Sequence, residues 1–158
     1  MKKTVTVTAV VLLAAIYALL FGNTYSYARE NHTVRFGEMN TMVPGDYYVS
    51  LETTTIPYKL SKTGFKFGFT VQPKDFTAHY DGYYILYLPA TSRVIGKEFA
   101  RNNGAPAVLR TENRRFNGER WWQTLEFDPG DPLGVYRIEI YVNNRLLKSI
   151  VFNVVPDN

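Results

Sequence analysis

Seven cationic residues, Arg93, Lys97, Arg101, Arg110, Arg114, Arg115 and Arg120, stand against Glu98, Glu112 and Glu119 in one stretch of the chain, a local balance of +4. Trp121 and Trp122, the only two tryptophans, follow at once. A guanidinium pairs bidentately with carboxylates and phosphates, and Trp and Arg are the residues favoured at binding hot spots. The chemistry on offer is recognition: Arg110, Arg114, Arg115 and Arg120 gripping an anionic envelope glycan, a lipid head group or an acidic protein partner, with Trp121 or Trp122 as a stacking surface. Catalytic constellations are missing by comparison. There is no cysteine, and the two histidines, His32 and His79, are 47 positions apart, far wider than the ligand spacing of a catalytic zinc site, which would need both and a carboxylate. Glu126, Asp128, Asp131 and Glu139 are close enough in sequence to suggest a carboxylate pair, but Asp128 and Asp131 frame a Pro-Gly turn and Glu139 falls on the outward side of a strand. No Gly-x-Ser-x-Gly elbow, phosphate loop, dinucleotide fingerprint or calcium loop occurs. The expectation is no catalytic residue, no metal and no cofactor.

The elements that must carry these residues are strands. Aromatics make up 15% of the chain and charged residues 20%, a composition suited to pleated sheets and unlike a disordered chain or a charge-laced bundle. Alternation places Phe65, Phe67, Phe69 and Val71 on one face, and Tyr84, Leu86 and Leu88 opposite Tyr83, Ile85 and Tyr87 after a turn at Asp81-Gly82. Val34 to Met39 and Tyr48 to Ile56 are further strands, the second limited by Pro57. Pro89 to Glu119 reads as irregular, either a functional excursion or a stretch holding one or two edge strands around Val94 and Val108, and Ile95 to Arg101 could form one helical turn. Arg120 to Phe127 resumes the alternation, so Trp121 and Trp122 point to opposite faces: one is core, and the other is exposed or lies under the loop. Tyr136, Ile138, Ile140 and Val142 oppose Arg137, Glu139 and Tyr141, and Asn143-Asn144 turns the chain into a last strand, Leu147 to Val155. Tyr136, Ile138, Ile140, Phe152 and Val154 are expected to face Phe67, Phe69 and Leu86 across one core. Short strands at intervals of roughly ten residues predict an all-β, antiparallel two-sheet sandwich of seven or eight strands.

At the N-terminus Lys2 and Lys3 precede Ala9 to Phe21, an uncharged apolar run, and Ser26 and Ala28 provide the small residues of a cleavage site. The sequence thus divides into a signal peptide over 1–28 and a single β-sandwich domain over 29–158, periplasmic or secreted. An uncleaved anchor is the competing reading. Loss of residues 1–28 removes two lysines and no acid, leaving a domain with net charge +2. A nucleic-acid role then lacks the concentrated basic face it needs. The membrane is met only through the leader, if it is retained. His32 is expected in a disordered start and His79 in a solvated loop.

Thr53-Thr54-Thr55-Ile56-Pro57 followed by Gly64-Phe65-Lys66-Phe67-Gly68-Phe69, with Gly134-Val135-Tyr136 and a closing Phe152-Asn153-Val154, resembles a family of secreted bacterial immunoglobulin-like domains of unknown function. That family carries a Thr-x-x-Ile-Pro segment ahead of a Gly-x-x-Phe-Gly-Phe strand, and places Trp where Tyr136 stands. Arg93 to Glu119 has no counterpart in the resemblance. It implies an immunoglobulin-like sandwich and no catalytic residues. Gly134-x-Tyr136 is also similar to the tyrosine corner of Greek-key sandwiches, and Tyr136 is expected as a core ring with a satisfied hydroxyl. The expected function is an exported, non-enzymatic binding module for an envelope component or a secreted partner. The alternatives are an accessory subunit of an envelope assembly that pairs through a sheet edge and, last, an envelope hydrolase.

Overall fold

The computed structural model describes residues 31–89, 99–101 and 108–157 of the 158-residue chain. The proposed leader over 1–28 and the strand near Val94 lie outside them. The described residues form eleven strands in two packed sheets. The four-stranded sheet has the order β2 (Asp46–Glu52), β1 (His32–Val43), β4 (Phe67–Pro73), β9 (Trp121–Leu125). The seven-stranded sheet runs β3 (Thr55–Pro57), β11 (Arg145–Val155), β10 (Gly134–Val142), β5 (His79–Tyr87), β7 (Val108–Thr111), β6 (Phe99–Arg101), with β8 (Arg114–Asn117) also paired to β5.

The strand count exceeds the expected seven or eight because β3, β6, β7 and β8 have three or four residues each, too few to show an alternation. All strand pairs are antiparallel except β3 with β11. That exception follows from the chain crossing between sheets at Thr53-Thr54, so that Tyr48 to Ile56 is two strands in two sheets. Phe99–Arg101 form a strand, not the end of a helical turn.

Aromatic rings fill the space between the sheets. Phe67 stacks on Phe127 at 4.7 Å, Phe36 meets Phe152 at 5.0 Å, and Phe69 meets Tyr84 and Trp121 edge-on at 5.4 and 5.0 Å. Tyr136, Ile138, Ile140, Phe152 and Val154 are buried with Phe67 and Phe69 as expected. Leu86, however, is the in-sheet neighbour of Ile138 rather than its opposite. Tyr136 donates its hydroxyl to Pro132 O at 2.5 Å and stacks on Phe152, the geometry of a tyrosine corner. Asn143 and Asn144 adopt φ of 50° and 62°, as their hairpin requires.

Three local expectations are corrected. Asp81-Gly82 is not a turn but the middle of β5: a Cβ on Gly82 would lie 2.7 Å from the Trp121 ring, so glycine is there to admit an indole. His79 is in β5, with Nδ1 3.0 Å from Asn117 Oδ1. His32 opens β1 with its ring edge-on to Tyr80 at 5.2 Å.

One departure from a simple sandwich concerns β1. At a bulge between Glu38 and Met39 the strand leaves β4, and the β1–β2 hairpin folds over the outer face of the four-stranded sheet. Met39 and Val49 are buried there, and Gly68 makes room for the Met39 sulfur.

Candidate functional site

The six residues expected to form one binding patch are distributed over four places. Trp121 points inward from β9 and is 2% exposed, between Phe69 and Phe116, so it cannot stack on a ligand. Trp122 points outward from the same strand. It is covered by the β1–β2 hairpin, with Tyr47 5.0 Å from its ring. Arg120 belongs with it: its guanidinium is ion-paired to Asp46 at the start of β2, and the neighbouring Lys66 is paired to Glu126. Arg120 and Trp122 thus clamp the hairpin to its sheet. The sequence could not show this, because Asp46 is 74 positions from Arg120.

Arg110 and Arg115 lie on the outer face of the seven-stranded sheet. Arg110 is opposite Ile85 and Arg115 opposite Asp81 along the same edge of β5, about 13 Å apart at the strand repeat. Arg115 reaches Asp81 at 3.3 Å but stays 74% exposed, an ion pair worth little in water. Arg114, one residue before it, springs from the other face of β8 at the rim of the sandwich, 5.9 Å from the Phe116 ring. Arg93 and Lys97 lie outside the described residues.

Around Arg110 the fold assembles a layer of residues the motif search passed over. Its guanidinium lies 4.3 Å over the Tyr83 ring, and Tyr83 stacks on Tyr141 of β10 at 4.7 Å with the planes 3° apart. Beside this stack Arg137 sits 4.0 Å over Tyr87 and 3.5 Å from Glu139. Glu139 Oε2 accepts the hydroxyls of both Tyr87 (2.9 Å) and Tyr141 (3.0 Å). Burial first, then the hydrogen bond to Glu139 and its negative charge, push the Tyr141 phenol up to about 12 and raise Tyr87 as well. Both rings therefore remain neutral donors, and the carboxylate, 13% exposed, keeps two phenols and a guanidinium as partners. The alternation of Tyr83, Ile85 and Tyr87 against Arg137, Glu139 and Tyr141 announces an outward face. What it does not announce is that β5 and β10 are neighbours, paired Tyr83 to Tyr141 and Ile85 to Glu139.

Among the described residues Arg110 and Arg114 have no carboxylate within ion-pair distance. Arg110 is also held in place by the stack beneath it, and among the described residues its fork of N–H donors meets no carboxylate. Asp128 and Asp131 are turn residues: Asp128 N donates to Asp131 Oδ2 and Asp131 N to Asp128 O. Among the described residues no group of three or more His, Asp or Glu could hold a metal ion.

The chain belongs to the family of PM0630 beta sandwich domains, whose model matches residues 34–155. Its fold is similar to the crystal structure of an immunoglobulin-like protein from Pseudomonas aeruginosa, at a TM-score of 0.54 and 19% identity over 78% of this chain and 92% of that one. This is a β-sandwich with an immunoglobulin-like fold. An alkylpurine DNA glycosylase AlkC from Pseudomonas fluorescens, bound to DNA containing an abasic site analog, aligns at a TM-score of 0.34 and 12% identity over 77% of this chain and 30% of that one, too low a likeness to carry an argument. No curated protein matches the sequence.

Proposed function

We propose that this chain is an exported, non-enzymatic binding module that holds an anionic envelope component or an acidic secreted partner at the edge where β7 and β8 meet β5. Arg110 is the central contact, with Arg115 about 13 Å along the same edge, Arg114 at the rim of the sandwich and the Tyr83–Tyr141 stack as its support. The observation that carries this reading is the Arg110 guanidinium, oriented by Tyr83 at 4.3 Å and without a carboxylate partner among the described residues. Orientation before contact lowers the entropy cost of binding, and a fork-shaped cation suits a carboxylate or phosphate. Arg120, Trp121 and Trp122 have structural places and drop out of the contact set.

The test is retention of the purified protein on anionic glycan, anionic lipid and immobilised envelope extract at rising salt. The wild type should be held and then released as screening shortens, because individual exposed ion pairs are worth only about 0 to 1 kcal/mol. Arg110→Ala with Arg114→Ala should elute early while melting within a few degrees of the wild type. If the two proteins co-elute from every support, the reading is wrong. A second reading, an accessory subunit that joins an envelope assembly by strand pairing, draws on a length of β11 that no described strand covers.

A further inference from the structure

Strand β11 spans Arg145–Val155, but β3 pairs only with Asn153, Val154 and Val155. On that side Asn153 donates its N–H to Thr54 O and Val155 O accepts from Tyr58 N. By the two-residue repeat, Val151 and Ser149 direct their backbone N–H and C=O groups the same way, where no described strand answers them. The facing sheet has a matching stretch at the same flank. Strand β1 pairs with β4 from His32 to Glu38, yet β2 reaches it only from Gly37 onward, so among the described residues no strand borders Thr33 to Phe36 on that side.

Between these two edges lie adjoining hollows of about 360 and 480 Å³ that share Val34 and Lys148. Their apolar floor is made by Val34, Phe36, Leu147 and Ile150. Their charged rim is asymmetric. Glu52 is already ion-paired to Arg35 at 2.6 Å, whereas Lys74 and Lys148 have no carboxylate partner among the described residues. A lysine on an edge strand can serve only to blunt it. Here the second lysine, the apolar floor and the facing edge of β1 go beyond what blunting requires.

We propose that this flank accepts an extended, acidic peptide segment of a partner protein as an added strand along residues 146–152 of β11. The segment hydrogen-bonds to Ser149 and Val151, sets alternate apolar side chains toward Val34 and Ile150, and places its carboxylates at Lys74 and Lys148. Main-chain pairing supplies affinity in such an arrangement, and the alternate side chains supply selectivity. The inference deepens the strand-pairing reading and is independent of the arginine edge.

The experiment is selection of displayed heptapeptides on the purified protein, followed by affinity measurement of the winners as synthetic, end-blocked peptides. Winners should alternate apolar and acidic residues. Val151→Pro removes an outward N–H without breaking a bond to β10, a position where an edge strand tolerates proline, and should weaken these peptides about tenfold or more. Lys74→Glu with Lys148→Glu should do the same. Arg110→Ala with Arg114→Ala should leave them unchanged, which separates failure here from failure of the anion-binding reading. Thermal melts of each variant verify folding, and Lys148→Gln provides a milder variant if Val151→Pro does not fold. Failure to enrich any peptide, winners without acidic residues, or equal binding to wild type and variants would overturn the proposal. Self-association abolished by Val151→Pro would assign the edge to a second copy of the chain and overturn it as well.

Discussion

The two adjacent tryptophans show how far one position shifts a residue's role. Trp121 is enclosed by Phe69, Phe116 and the space left by Gly82, while Trp122 is half-buried beneath Tyr47. Trp121→Ala should therefore cost about 3 to 5 kcal/mol, the range for emptying a large aromatic site. Trp122→Ala should cost only about 1 to 2 kcal/mol, since it loses a partial burial and one ring contact. Urea unfolding of the two variants reads the difference directly, and equal costs would mean that the register of β9 is wrong. Glu139 has a comparable dual character. It lies on an outward face, where a carboxylate is ordinary, yet two phenols and Arg137 enclose it, so its role is to order the aromatic layer beneath Arg110.

At the scale of elements, β5 is the member that organises the sheet, since β10 pairs along one side of it and β7 and β8 share the other. Its inward side must accept both Ile138 beside Leu86 and the Trp121 ring over Gly82. Gly82→Ala should destabilise by about 1 to 3 kcal/mol, because the added methyl meets a packed indole that has nowhere to move. Ile138→Ala, fully buried on β10, should cost about 2 to 5 kcal/mol. Arg137→Ala on the other face of the same strand should cost about 0.5 to 1 kcal/mol, for its stacking on Tyr87 and its half-exposed ion pair with Glu139. Denaturant midpoints at constant slope check all three. The β1–β2 hairpin is a second organising device, fastened to the four-stranded sheet by Arg120–Asp46, Tyr47–Trp122 and the buried Met39 and Val49.

The whole molecule has an alkaline limit set by phenols in its core and in the outer aromatic layer. Burial is the first cause raising the phenols of Tyr80 and Tyr141 to about 12, and burial raises Tyr136 further still. In the unfolded chain these groups ionise near 10. Between about pH 10 and 12 the unfolded state has thus released protons that the fold retains, so stability must fall as pH rises through that window. Their contribution is fully present below about pH 10. Urea midpoints followed upward through this range should decline, and Tyr80→Phe should flatten the decline even though it forfeits the hydrogen bond to Glu119 O. A profile that stays level would contradict the assigned burial of these rings.

The class of the molecule and most of its strands were legible in the chain itself, because a two-residue repeat states which side of a strand is apolar without reference to any neighbour. Phe67 to Val71 and Tyr136 to Val142 turned their expected faces to the core for that reason. Asn143-Asn144 was legible too, as its residues tolerate the backbone that a tight hairpin needs. Alternation carries no information on which strand lies beside which. Only the tertiary structure decided that Tyr83 stacks on Tyr141, that a hairpin from the start of the domain covers Trp122, and that Gly82 marks a close approach rather than a turn. It also separated arginines that adjoin one another in sequence, since Arg114 and Arg115 leave opposite faces of β8 and Arg120 is drawn to Asp46. Local geometry is written in residues a few positions apart, whereas a binding surface is made by residues that meet across strands, and their meeting is fixed by long-range pairing and by the packing of the whole core.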